Sequence, residues 1–160
     1  MSFGESHLGQ IRAKWGKDPI LFPGVFVLIL NAEGKVLLGW REQFNAWTAF
    51  GGSMELDESM TETLHREILE ETGVAIKDSV FFGLASAPRH RTVYPHGDVT
   101  QGVSGLFAVH LEHDDVQMDA EHSRFEWYDM DNIPDTTTPA TLALLGMYQE
   151  FRRSGVVQID

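Results

Sequence analysis

The sequence predicts an α+β domain in which helices cover a mixed β-sheet. Residues 25–30 and 35–40 are short runs rich in β-branched and large apolar side chains, which favours two strands joined by a turn. Residues 59–72 are charged and contain no glycine or proline, which favours a helix instead. The apolar side chains of this helix recur at intervals of four residues, at Met60, Leu64 and Ile68.

The other elements follow from local signals in chain order. A short helix is expected over 5–14, inside a polar segment 1–18 that we interpret as an N-terminal extension. Thr138 followed by Pro139 is a good N-cap and first-turn pair, so it predicts a final helix over 138–153. Further extended pieces are predicted over 47–52, 80–86, 102–111 and 124–128.

Composition limits the classes of function. Apolar residues make up 42% of the 160 residues, which is enough for one domain spanning 1–160. The chain has 12 Lys and Arg against 24 Asp and Glu, and a net charge of −12 opposes binding to duplex nucleic acid. The absence of cysteine excludes disulfides, thiolate zinc sites and cysteine nucleophiles. No apolar run is long enough for a membrane span or a signal peptide, so we expect no membrane association and a cytoplasmic protein.

Three carboxylates share one face of the predicted central helix. Glu67, Glu70 and Glu71 are spaced i, i+3 and i+4, so the side chains of Glu70 and Glu71 each lie within about 60° of Glu67 around the helix. Such a strip is commonly a solvated acidic face. The glycine pair at 51–52, whose bare backbone can approach a ligand closely, favours a site for Mg²⁺ or Mn²⁺ instead.

The spacing of residues 52–74 resembles the Nudix box. Its fixed positions are filled by Gly52, Glu58, Arg66-Glu67-Ile68, Glu70-Glu71 and Gly73-Val74. The resemblance extends over about 19–134. Two positions depart from the common pattern, because Phe50 stands where many members have proline and Asp57 where many have glycine.

This resemblance implies a Nudix-type α/β/α sandwich that hydrolyses a nucleoside diphosphate linked to another group X. Water would attack a pyrophosphate phosphorus with the help of Mg²⁺, for which Mn²⁺ is a substitute. A regulatory nucleotide-binding module without turnover, and a glycosyl hydrolase attacking at carbon, are the alternatives. The implied metal ligands are Gly52, Glu67, Glu70 and Glu71, and the implied catalytic groups in the box are Glu67, Glu70 and Glu71. A further catalytic acid from outside the box is expected at Glu121, just before strand 124–128, with Glu112 as second choice; the alternative for either is an exposed loop charge. The implied structural residues are Glu58, Arg66 and Gly73.

The substrate is expected to be a small nucleotide, and a homodimer is left open. The segment 89–97 carries arginine, histidine and tyrosine but no acid, which reverses the charge of the chain locally and suggests contact with phosphate or base. The alternatives are an ordinary solvent loop for 89–97, a surface ion pair for Arg41 and core packing for the aromatic residues. The candidate substrate-binding residues are Arg41, Trp47, Phe50, Arg89, Arg91 and Tyr94.

Overall fold

The computed structural model describes residues 2–117 and 121–160. Three α-helices and nine strands alternate along them, with one short 3₁₀ helix at Pro88–His90. The helices are α1 (His7–Trp15), α2 (Met60–Thr72) and α3 (Pro139–Ser154). The strands are β1 (Ile20–Leu30), β2 (Val36–Arg41), β3 (Ala46–Thr48), β4 (Phe50–Ser53), β5 (Val80–Ala85), β6 (Arg91–Val93), β7 (Val99–His110), β8 (Arg124–Tyr128) and β9 (Gln158–Ile159).

Strand β1 is the centre of one mixed sheet with the order β3-β2-β1-β7-β5-β9. It pairs in parallel with β7 along its whole length and antiparallel with β2 at its carboxyl end. Its middle, from Gly24 to Val27, pairs antiparallel with β4, where Val25 lies opposite Gly52. The glycine pair at 51–52 is therefore held on the central strand of the sheet.

Helices cover both faces of the sheet, because side chains of β1 alternate between them. Leu28 and Leu30 belong to the core under α3. Val25, Val27 and Ile29 belong to a second core under α2. The predicted α/β/α sandwich is confirmed.

The predicted extended piece over 47–52 is two strands rather than one. Strand β3 pairs with β2, whereas β4 pairs with β1. The chain changes partner at Ala49, whose N–H donates to the Thr141 hydroxyl of α3 at 2.9 Å instead of to a neighbouring strand. The prediction was wrong because a bond to a distant helix, which local sequence does not reveal, interrupts the strand.

The other elements lie close to their predicted positions, and two were not predicted. Strand β6 forms a hairpin with the start of β7, and β9 adds in parallel to β5 at Gly83 and Leu84. Both are two or three residues long, too short to show a periodic pattern. Within the described residues, no helix is long and apolar enough to cross a bilayer.

Candidate active site

The ends of α2 are fixed by side-chain and backbone caps. The Ser59 hydroxyl accepts from the Glu62 N–H while the Glu62 carboxylate accepts from the Ser59 N–H, which is a capping box. Gly73 ends the helix in the left-handed conformation at φ 71°, and its N–H donates to the Leu69 carbonyl. Leu64 and Ile68 are fully buried, so the face that carries them is turned to the sheet.

Arg66 ties the loop before α2 to the helix. Its guanidinium donates to both oxygens of Glu58, at 2.8 and 2.9 Å, and to the Ser53 carbonyl at 3.0 Å. The same group donates to Glu67 Oε1 at 2.7 Å. Glu58 and Arg66, both implied by the sequence to be structural, thus form an ion pair, and it lowers the pKa of the Glu58 carboxyl from its ordinary value of 4.5 to about 2.

The conformation of the loop shows why many members of the Nudix family have glycine where this chain has Asp57. Asp57 has φ 62°, in the left-handed region that glycine adopts without steric cost. Glycine is therefore the residue that this backbone favours, and aspartate occupies the position with some strain.

Glu67 lies against the bare backbone of Gly52. A Cβ atom added at Gly52 would stand 2.1 Å from Glu67 Oε1, so only glycine leaves room for this carboxylate. Burial raises the pKa of the Glu67 carboxyl above its ordinary value, the charges of Glu70 and Glu121 raise it further, and Arg66 acts against both. Negative charge is thus concentrated in a partly dehydrated place.

Glu70 and Glu71 differ in exposure. Glu71 is buried, and its carboxylate accepts from the Gly51 N–H at 2.9 Å. The Glu70 side chain is 42% exposed and stands 3.7 Å from the Arg66 guanidinium. One carboxylate of the strip therefore anchors the helix to β4, whereas another faces solvent and is available to a ligand.

These residues fit a hard divalent cation by their chemistry. All the donors are oxygen atoms, as Mg²⁺ and Mn²⁺ prefer, and the charge around Glu67 is only partly neutralised by Arg66. Among residues 2–117 and 121–160, no three acidic or histidine side chains already converge on one point. Binding would require Glu67 and Glu70 to turn away from Arg66 toward the ion.

Glu121, from outside the box, reaches the same region. It forms an ion pair with Arg41 at the end of β2, and its charge acts on Glu67. Glu112, the second candidate, lies instead beside the turn at Asn31 and Glu33, past the opposite end of β1. The structure therefore places Glu121, and not Glu112, near Glu67.

Two of the aromatic residues predicted to touch substrate are core residues. Phe50 is completely buried, in contact with Phe125 under α2. Trp47 is buried on the other face of the sheet, between the rings of Trp40 and Tyr128. Neither has a free ring face for a base, so the prediction was wrong for both and core packing, the alternative, is what the structure shows.

The basic segment 89–97 is only partly available. The carboxylate of Asp160 pairs with Arg89 and, at 2.7 Å, with the buried His90. This acid follows β9, seventy residues further along the chain, so the local sequence did not show that Arg89 has a partner. Arg91 is exposed with a 3.3 Å bond to Gln101, and Tyr94 is half-buried against Phe44.

Comparison with known families agrees with this geometry. Residues 21–149 match the NUDIX domain family. The chain belongs to that family. The NUDIX match begins after α1 and includes α2, Glu121 and most of α3.

The NUDIX relatives carry different names. The chain is 27% identical over 127 residues to the NAD-capped RNA hydrolase NudC of Vibrio atlanticus, covering 78% of this chain and 44% of that protein. It is 30% identical over 114 residues to the low-salt glycan biosynthesis protein Agl8 of Haloferax volcanii, covering 64% and 67%. The chain thus spans less than half the length of this NudC.

The fold has solved counterparts. The MutT protein of Methanosarcina mazei superposes with a TM-score of 0.63 and 24% identity, over 86% of this chain and 97% of that one. Agreement at this level establishes a shared fold, and the chemistry has to be argued from the site itself.

Proposed function

We propose that the protein hydrolyses a nucleoside diphosphate linked to a further group X, with a divalent cation bound by the carboxylates of α2. The observation that carries this proposal is the position of Glu67, a partly dehydrated carboxylate held against the bare backbone of Gly52 with Glu70 and Glu121 nearby. Concentrated oxygen anions of this kind favour a dication and, through it, a polyphosphate.

Each side chain has a distinct part in the proposed reaction. Glu67, Glu70 and the Gly52 carbonyl would hold Mg²⁺, which offsets phosphate charge and lowers the pKa of bound water. Glu71 accepts a hydrogen bond from the Gly51 N–H and so fixes the position of α2 against β4. Its carboxylate would also add negative charge to the site. Glu58 and Arg66 hold the loop, so that the backbone of residues 52–53 keeps its place.

Two groups lie where a substrate would be oriented. The Arg41 guanidinium is held at the site by Glu121 and would bind a substrate phosphate. The Glu121 carboxylate would accept the proton of the attacking water, which requires a base within hydrogen-bond reach. The names of the relatives refer to different substrates, so the proposal stops at the shared pyrophosphate and leaves X open.

The first prediction tests this proposal by removing charge without changing shape. Glu67→Gln and Glu70→Gln should each lower turnover by about 100-fold or more and weaken Mn²⁺ binding, because each removes a ligand charge. Turnover is measured on a panel of nucleoside triphosphates, nucleotide sugars and dinucleotides with Mg²⁺, and Mn²⁺ affinity by calorimetry. Glu33→Gln, at the far β1–β2 turn, is the matched control and should change neither quantity.

The products separate the proposal from its rivals. A nucleoside monophosphate among the products indicates attack at phosphorus, as proposed. An intact nucleoside diphosphate with a free sugar would indicate attack at carbon, and tight nucleotide binding without turnover would indicate a regulatory module. Either of these results, or full activity in both glutamine variants, contradicts the proposal.

A further inference from the structure

A row of touching side chains leads away from the box carboxylates. The Arg41 guanidinium, paired with Glu121, lies 5.6 Å from the centre of the Phe44 ring. Phe44 and Tyr94 stand 5.5 Å apart, centre to centre, and Tyr94 and His96 stand 5.4 Å apart. The Lys17 ammonium donates to the His96 carbonyl at 2.7 Å. We call this row the aromatic track; it consists of Arg41, Phe44, Tyr94, His96 and Lys17.

The rings of the track are accessible, in contrast to those of the core. Phe44 and Tyr94 are half-buried, and the His96 side chain is 60% exposed. Their planes are inclined by 43° and 32° between neighbours, so neither pair meets edge to face. A flat base can stack on an accessible aromatic ring whatever the identity of the base, because every base has a π-face.

Hydrogen bonds to the backbone hold the Lys17 end of the track and the turn that carries Tyr94. Buried Arg12 of α1 donates to the carbonyls of Gly16, Asp18 and Val99, which fixes the segment carrying Lys17 onto β7. On the other side, the Gly97 N–H donates to the Tyr94 carbonyl and closes the β6–β7 turn. The spacing between ring and cation is therefore built into the fold.

The side chains at the two ends of the track are cations, of which Arg41 is already paired with Glu121. The net charge is −12, yet both ends of the track are cations, and exposed Arg91 lies on the same hairpin. The nearest acid on the hairpin, Asp98, is already engaged by Arg12 at 3.3 Å and by His96 at 3.2 Å. Rings between two cations match the alternation of base and phosphate in a nucleotide chain.

We propose that the aromatic track binds group X, and that X is itself a nucleotide whose base stacks on Phe44 and Tyr94 and whose outer phosphate meets Lys17. The inference rests on the proposed function, since it assumes that the pyrophosphate lies at the box carboxylates beside Arg41. It gives α1, which lies outside the residues matched by the NUDIX family, an indirect part in substrate selection, because Arg12 of α1 holds the segment that carries Lys17.

Three substrates that differ by one group each test the proposal. The first is a nucleotide sugar, in which X has no base. The second is a pair of nucleosides joined by a pyrophosphate, and the third is the same compound with a 3′-phosphate on one nucleoside. The measured quantity is the ratio of kcat/KM between successive members, which isolates the base from the added phosphate.

Each variant should change one ratio. Tyr94→Ala should lower the preference for the dinucleotide over the nucleotide sugar by about tenfold, which is the usual loss for one stacked base. Lys17→Gln should lower the preference for the 3′-phosphorylated compound over the plain dinucleotide by about fivefold. The controls are Val93→Ala, an exposed neighbour on the same hairpin, and Lys35→Gln at the β1–β2 turn; both should keep the wild-type ratios.

A binding measurement makes the two proposals distinguishable. In the Glu70→Gln background, the dissociation constant of each intact compound is measured by calorimetry, and Tyr94→Ala should raise it mainly for the compounds with a second base. If the wild-type protein hydrolyses none of the three and no nucleoside triphosphate of the earlier panel, the proposed function fails while these constants still test the track. If hydrolysis proceeds but both ratios stay at their wild-type values in Tyr94→Ala and Lys17→Gln, the track proposal is wrong and the proposed function stands.

Discussion

Gly51 and Gly52 are adjacent, yet a methyl group added at each meets a different obstacle. At Gly51 it would stand 2.1 Å from the Val25 carbonyl oxygen, on a backbone with φ 138°. At Gly52 it would meet only the movable carboxylate of Glu67. One glycine is therefore required by the sheet and the other by the site.

The second prediction follows from this difference. Gly51→Ala should lower the free energy of unfolding by about 3 kcal/mol, since neither the backbone nor the carbonyl can yield. Gly52→Ala should cost about 1 kcal/mol or less but lower turnover by about 100-fold, because Glu67 is pushed out of position. Chemical denaturation and steady-state kinetics check the pair; equal losses of stability in both variants would contradict it.

The third prediction concerns the strained residue of the box loop. Asp57 is exposed and has φ 62°, so Asp57→Gly removes steric cost without removing a packed side chain. The variant should be more stable by about 0.5 kcal/mol, the relief being partly offset by the greater entropy of glycine in the unfolded chain. Asp57→Val, which is branched at Cβ, should be less stable than wild type in the same thermal melts.

At the residue scale, the strip of carboxylates could be predicted from the sequence, whereas the burial or exposure of each aromatic ring could not. Glu67, Glu70 and Glu71 follow from helical periodicity alone, because one helix fixes their relative directions. Whether Trp47 or Tyr94 faces a ligand depends on which strand passes over it, and such contacts are long-range. The spacing of residues within one helix determines the relative directions of their side chains, whereas the burial of a side chain depends on the whole fold.

At the scale of elements, the junction between the box loop and α2 depends on one ion pair. The folded pKa of Glu58, about 2, lies below its ordinary 4.5, so the charged form is favoured in the folded state. The contribution of this ion pair to the stability of the folded state is complete above pH 4.5 and is lost as the pH falls from 4.5 toward 2.

The fourth prediction is the corresponding pH profile. The free energy of unfolding should fall between pH 4.5 and 2 by on the order of 2 kcal/mol from this residue alone. Glu58→Gln should be less stable than wild type at pH 7, and the difference should shrink on acidification through that window. Urea titrations at several pH values measure both, and a constant difference between pH 7 and pH 2.5 would contradict the assignment.

Elements with a periodic pattern or a cap were predicted well, and those without were missed. Strand 124–128 and helix α3 lie within one residue of their predicted bounds, because Thr138 and Pro139 mark a helix start chemically. The break between β3 and β4 depends on Thr141, and β9 depends on an open edge of β5. Neither partner is near in sequence, so no local rule could have identified them.

At the scale of the whole molecule, one carboxylate joins distant parts of the chain. The side chain of Asp160 accepts from the Ser86 N–H at 3.2 Å as well as from Arg89 and His90, while the Asp160 N–H donates to Leu84. These bonds fasten β9 to the segment that leads into the β6–β7 hairpin. Stability of that hairpin should therefore depend on a residue far outside it.

The fifth prediction separates the hydrogen bonds of Asp160 from its charge. Asp160→Ala leaves the buried His90 ring without this acceptor and should cost about 2 kcal/mol, or roughly 5 °C in Tm. Asp160→Asn keeps an acceptor oxygen and should cost about half as much. Calorimetric melts measure both; equal Tm values for the two variants would show that charge, not the bond to His90, matters.

The attachment of α1 through Arg12 has a practical consequence for anyone who recombines or shortens such proteins. A fragment trimmed to the segment shared with relatives would retain the carboxylates proposed to bind the metal but would lose Lys17, which is proposed to select the substrate. Exchanging residues 1–18 between homologues, with the rest of the chain unchanged, is consequently a way to change substrate selectivity without altering the carboxylates of the box.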